Sequence, residues 1–112
     1  LYFRKVIGKS MYPTLKEGQI VIVNRWAKPV AGDVHVAFLH SREVVKRIAY
    51  IDGDRVFLIG DNKDSSTDSR HFGVVSDRKL EGKVIWPRIK RLPSKQLLLL
   101  KEEVRKYSRK ER

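Results

Sequence analysis

Glu43-Val44-Val45-Lys46-Arg47-Ile48-Ala49-Tyr50-Ile51, then Asp52-Gly53-Asp54, then Arg55-Val56-Phe57-Leu58-Ile59, is the stretch that decides the fold. Both flanks are rich in β-branched and aromatic residues, and the Asp-Gly pair between them signals a hairpin. Working outward toward the N-terminus, Val34–Leu39 has strand composition, and Pro29 with Ala31-Gly32-Asp33 breaks the chain before it. Gln19–Asn24 is a further β-branched run, entered from a turn at Glu17-Gly18. Toward the C-terminus, Lys83–Trp86 is a last short strand closed by Pro87. Strands of about five residues with turns roughly every ten predict a mainly β chain, a small antiparallel folded sheet or barrel.

Two segments depart from this pattern. Residues 60–73 (GDNKDSSTDSRHFG) are too polar and turn-rich for a strand, so they are expected to form a long structured loop. After Pro93-Ser94, a stop and a helix cap, Leu97, Leu100, Val104 and Tyr107 recur at helical spacing among Lys and Arg. A basic amphipathic helix therefore follows the sheet. Three readings of it stay open: packing on the sheet, contact with an anionic membrane surface through the Leu97–Leu100 run, or contact with nucleic acid.

The 112 residues allow one modest core and not two. Of the net charge of +12, residues 88–112 carry +7, and the first 87 carry +5. The tail, not the sheet, is what would address an acidic partner. With no cysteine there is no disulfide and no Cys-ligated metal. His35, His40 and His71 lack metal-ligand spacing, so no metal or other cofactor is expected. No run approaches the roughly 20 apolar residues that cross a bilayer. The chain opens on Leu1, and residues 1–5 are read as the end of an anchor lying upstream.

The candidate chemistry is a serine and a lysine. Ser10 lies in the turn-bounded run Gly8-Lys9-Ser10-Met11-Tyr12-Pro13-Thr14-Leu15, where a hydroxyl can stand clear of strand pairing. A free hydroxyl is a weak nucleophile at neutral pH and needs a base. Lys46 has Val44, Val45, Ile48 and Ala49 as neighbours, and burial disfavours the charged amine. Strand alternation puts Lys46 on a face with Val44 and Ile48, and Arg47 on the other with Val45 and Ala49. By default Asp68 and Arg70 are a surface pair and Ser66 a turn cap.

The GxSMxPTL, VKR and GDNxxxSxDSRxFG runs, in this order over roughly residues 6–87, resemble those of the type I signal peptidases, the serine–lysine leader peptidases. The resemblance implies Ser10 as nucleophile and Lys46 as general base. Met11 would line the pocket for the small residue before the cut, and the Ser10 N–H would donate to the oxyanion. The family's hydroxyl two residues before the nucleophile is replaced here by Gly8. Ser66 would orient the lysine amine, Asp68 and Arg70 would brace the loop, and Gly60, Asp61 and Asn62 would set its turn. Gly32-Asp33-Val34 matches the family's segment ahead of the lysine strand, while the insertion many members carry after that strand is absent.

The implied function is a serine endopeptidase that removes signal peptides from precursors after small residues. It would act at a membrane with an extracytoplasmic active site, on residues 6–87, with 88–112 as a basic tail. The loop is also similar to that of short maturation proteases for a nickel-type superoxide dismutase, which would place the chain in the cytoplasm. A non-enzymatic nucleic-acid module is disfavoured because stacking aromatics are not clustered and the basic excess lies off the sheet.

Overall fold

The computed structural model describes residues 1–62, 64 and 69–110, with the backbone alone at residue 71 and residues 104–110. The elements run β1 (Tyr2–Lys5), β2 (Ile20–Asn24), β3 (Val34–Leu39), β4 (Arg42–Asp52), β5 (Arg55–Ile59), α1 (Ser69–Phe72), β6 (Val75–Ser76), a 3₁₀ turn (Asp77–Lys79), β7 (Leu80–Trp86) and α2 (Ser94–Lys110). The strands form one seven-stranded sheet in the order β1-β2-β7-β3-β4-β5-β6, and each pairing is antiparallel. The sheet curls strongly. Arg4 Nε of β1 lies 2.7 Å from Glu43 Oε1 of β4, although three strands separate them in the sheet.

The mainly β fold with a C-terminal helix is the one expected. The β4–β5 hairpin pairs Asp52 with Arg55, leaving Gly53 and Asp54 as a two-residue loop. Gly53 has φ +59, which a glycine adopts without the Cβ penalty at the first position of a type II′ turn. The β3–β4 hairpin is less legible. Leu39 pairs with Arg42, so His40 and Ser41 form the loop with φ +51 and +68. Those are type I′ angles, and neither residue is a glycine or asparagine.

Other differences have simple physical origins. Residues 2–5, where no strand was expected, form β1 and pair with β2. The polar 60–73 stretch contains α1, and Val75–Ser76 adds β6 at the sheet edge beside β5. Two residues carry too little pattern to be seen as a strand. Helix α2 opens at Ser94, the expected cap itself, with the Leu97 N–H donating to the Pro93 carbonyl at 3.1 Å.

The core lies on both sides of β3 and β4, which is why β3 shows little alternation in burial. On one side Val34, Val36 and half-buried Val45 pack with Met11, Leu15, Val21, Val23 and Val84. On the other, Ala37, Leu39 and Ile48 pack with Val56 and Leu58, flanked by Val44 and Phe72. A third cluster, Ala49, Phe57 and Ile59, is covered by Leu100 of α2 and Tyr50. Burying a side chain of this size contributes about 1.5–3 kcal/mol each. Met11 and Leu15 thus anchor the loop that joins β1 to β2.

Candidate active site

That loop is closed at its base before it presents Ser10. The Val6 N–H donates to the Gln19 carbonyl and the Gly18 N–H to the Val6 carbonyl, each at 2.8 Å. Within it, the Tyr12 N–H bonds the Lys9 carbonyl at 3.1 Å and the Leu15 N–H the Met11 carbonyl at 2.9 Å, giving a single helical turn. Met11 and Leu15 drop from this turn into the core, leaving Ser10 half-buried between them and solvent. The Gly8 N–H is taken by Glu17 Oε2 at 3.1 Å.

The Gly60-Asp61-Asn62 turn is bound directly to this loop. The Asn62 N–H donates to the Ser10 carbonyl at 2.8 Å, and Asn62 Nδ2 to the Lys9 carbonyl at 2.9 Å. Thr14 Oγ1 donates to Asp61 Oδ2. Asp61 in turn accepts two bonds from Arg47, from Nε at 2.8 Å and from Nη2 at 2.6 Å, in the fork geometry that suits a carboxylate. Burial alone would raise the Asp61 carboxyl, but the bonds from Arg47 and Thr14 outweigh it and hold it below the ordinary range. Arg47 is 3% exposed and its Nη1 donates to the carbonyls of Gly32 at 2.7 Å and Lys90 at 3.0 Å. The sequence reading assigned Arg47 only a face. Its strength as an anchor was missed, although an arginine flanked by apolar residues was the available signal.

Lys46 is 4% exposed and lines a cavity of about 290 Å³ with Leu39, His40, Val44 and Phe72. The edge of the His40 ring meets Phe72, with centroids 4.9 Å apart. Opposite Lys46 on β3 stands His35, which is 1% exposed and, among the described residues, has neither ring nitrogen hydrogen-bonded. Burial, with help from the nearby Lys83 cation and against the pull of Asp33, lowers His35 to about 4. The imidazole beside the lysine strand is therefore neutral at neutral pH.

Arg70 sits in α1, where its Nη2 is 3.4 Å from the Gly60 carbonyl. Ser66 and Asp68 lie outside the described residues. Ser69, to which the sequence reading gave no role, is 1% exposed and its Oγ accepts the Leu58 N–H at 2.9 Å. This fastens the start of α1 to β5. A second cavity, about 560 Å³, has Thr14, Asp61 and Arg70 on one wall and Leu99, Leu100 and Glu103 of α2 on the other. Among the described residues, no three His, Asp or Glu side chains converge as metal ligands would.

The structure therefore brings together the Ser10 turn, the Gly60–Asn62 turn and the Lys46-Arg47 strand, with Asp61 as the joint. Residues 1–85 match the family model described as Peptidase S24-like. The chain is 28% identical to a signal peptidase I of Bacillus caldolyticus, over 73% of this chain and 78% of that protein. It is 34% identical to the mitochondrial ATP-independent inner membrane protease subunit 1a of Arabidopsis thaliana, over 73% of this chain and 68% of that one.

Proposed function

Because the chain belongs to the Peptidase S24-like family and is a protease of signal peptidase I type, we propose that it is a serine endopeptidase working through Ser10 and Lys46. The observation that carries this reading is the Asn62 N–H bond to the Ser10 carbonyl. Through Asp61 and Arg47 it ties the nucleophile's turn to the residue next to Lys46.

In this mechanism the neutral Lys46 amine takes the Ser10 Oγ proton as Oγ bonds to the scissile carbonyl carbon. The Ser10 N–H faces the oxygen on which charge develops; losing such a donor typically costs about 2.7–4 kcal/mol. The carbon–nitrogen bond then breaks and the Lys46 ammonium gives its proton to the departing amine. Water attacks the remaining ester, giving one proton to Lys46, and Ser10 leaves with that proton restored. Lysine suits the base role because a buried amine can be neutral, which a guanidinium cannot.

The substrate we assign is a precursor with a signal peptide, as the name of the Bacillus relative suggests, and the cut we assign falls after small residues. Maturation of one dedicated precursor is the alternative that uses the same dyad. The test is cleavage of a precursor bearing Ala-x-Ala before the cut. Ser10→Ala and Lys46→Ala are each expected to lower kcat/KM by about 10³-fold or more in folded protein. Near wild-type cleavage by either variant overturns the dyad.

A membrane surface is the second partner we assign, through α2. Leu98 and Leu99 are each 64% exposed on a helix otherwise rich in Lys and Arg. Among the described residues no helix is long and apolar enough to cross a membrane. Removing residues 95–112 is expected to weaken sedimentation with anionic vesicles; unchanged sedimentation rules out this role for the tail.

A further inference from the structure

The segment between β7 and α2 lies outside every motif considered so far, yet it touches the centre of the site. Arg91 Nε donates to Asp33 Oδ1 at 2.8 Å, and its Nη2 lies 3.3 Å from Oδ2. Lys83 Nζ approaches the same Oδ2 at 3.4 Å. Asp33 itself is 5% exposed, so its charge is stable only while these cations hold it. Next to it the Leu92 N–H reaches the Gly32 carbonyl at 3.4 Å. The approach is close: a Cβ on Gly32 would stand 2.6 Å from Arg91 Cγ and 3.1 Å from the Leu92 nitrogen.

This docking places the Lys90 carbonyl on Arg47 Nη1, at 3.0 Å. The other end of the same guanidinium grips Asp61, which bonds Thr14 and precedes the residue that bonds Ser10. A planar fork is held in orientation by all its acceptors together. A substitution at Lys90 cannot remove a backbone carbonyl. Arg91 gives the segment its ion pair with Asp33, beside the Leu92 N–H bond to Gly32 and the packing of Ile89 on the core.

We propose that Arg91 is a positioning residue for the Ser10 turn, acting through the Lys90 carbonyl, Arg47 and Asp61. The proposal rests on the serine endopeptidase reading for its kinetic consequence, but not for its structural one. Loss of Arg91 loosens one end of Arg47, and the shift reaches the nucleophile as a small misplacement, to which catalysis is steeply sensitive. The 88–92 segment is then part of the catalytic unit rather than a tether for the helix.

Two measurements on the full chain test this. In Arg91→Gln, kcat for the Ala-x-Ala precursor, per folded molecule, should fall about three- to tenfold with KM held within about twofold. Arg91→Lys, which restores a cation opposite Asp33 without the fork, should recover part of that loss. In parallel, amide hydrogen exchange at Asn62 in Arg91→Gln should quicken about tenfold more than exchange in β3. A general loss of stability would speed both alike. Wild-type kcat in folded Arg91→Gln, or equal acceleration at Asn62 and in β3, overturns the proposal. If the wild-type chain cleaves no precursor, the peptidase reading fails, and the exchange comparison still decides the role of Arg91. Should Arg91→Gln not fold, Arg91→Lys carries the same exchange comparison with a smaller difference of the same sign.

Discussion

The two sides of β4 solve opposite problems with neighbouring cations. On one side, Lys46 lines a cavity with Leu39, His40, Arg42, Val44 and Phe72. On the other, Arg47 spends its guanidinium on Asp61 and on the carbonyls of Gly32 and Lys90. A buried guanidinium keeps its charge, so it must be surrounded by acceptors. A buried amine has a second option, to lose its proton. The comparison teaches that burial alone does not define a base: of two adjacent residues, 4% and 3% exposed, only the amine is able to deprotonate.

The sharpest way to break this contrast is to make the two sides alike. Lys46→Arg puts a permanently charged group that cannot deprotonate in the place of the amine, and is expected to lower kcat/KM by about 10³-fold or more, as a lost catalytic base does. Substantial cleavage by Lys46→Arg, measured on the same precursor, would show that no neutral amine is needed. Removing the opposite cation strikes stability instead. Arg47→Met leaves the half-buried Asp61 without its cation and should cost about 3 kcal/mol in urea unfolding.

A third prediction concerns the imidazole beside this strand. His35 has a folded pKa of about 4, lowered from 6.5, so its contribution is fully present above pH 6.5. As pH falls from 6.5 toward 4 the unfolded chain takes the proton and the folded chain does not. Stability therefore declines over that window, by about 3 kcal/mol from this residue. His35→Phe should flatten that part of the pH–stability curve, read by denaturant midpoints at pH 4 and pH 7. Asp33 and Asp61, both held below 3.8 in the fold, act at lower pH: their stabilisation is present above 3.8 and is lost as pH drops through their folded values.

What could be read from the chain, and what could not, divides along the range of the interactions. The β4–β5 hairpin was legible because Asp52-Gly53-Asp54 and its flanks act within a few residues of one another. The β3–β4 turn was not, since His40 and Ser41 hold positive φ only because the paired strands on either side require it. For the candidate site, residue types and their order pointed to Ser10, Lys46 and the Gly60–Asn62 turn. The grip of Arg47 on Asp61 spans 14 positions, and that of Arg91 on Asp33 spans 58. Neither is visible in local pattern.

By itself, then, the sequence determined the strand content, the hairpin and the basic helix, because each is a property of composition or short-range spacing. Tertiary structure alone decided which cation would be saturated with acceptors, that the 88–92 segment would lean on Gly32, and that Ser10 would be held by Asn62. Those outcomes depend on the curl of the sheet, which brings groups distant in the chain to within hydrogen-bonding distance.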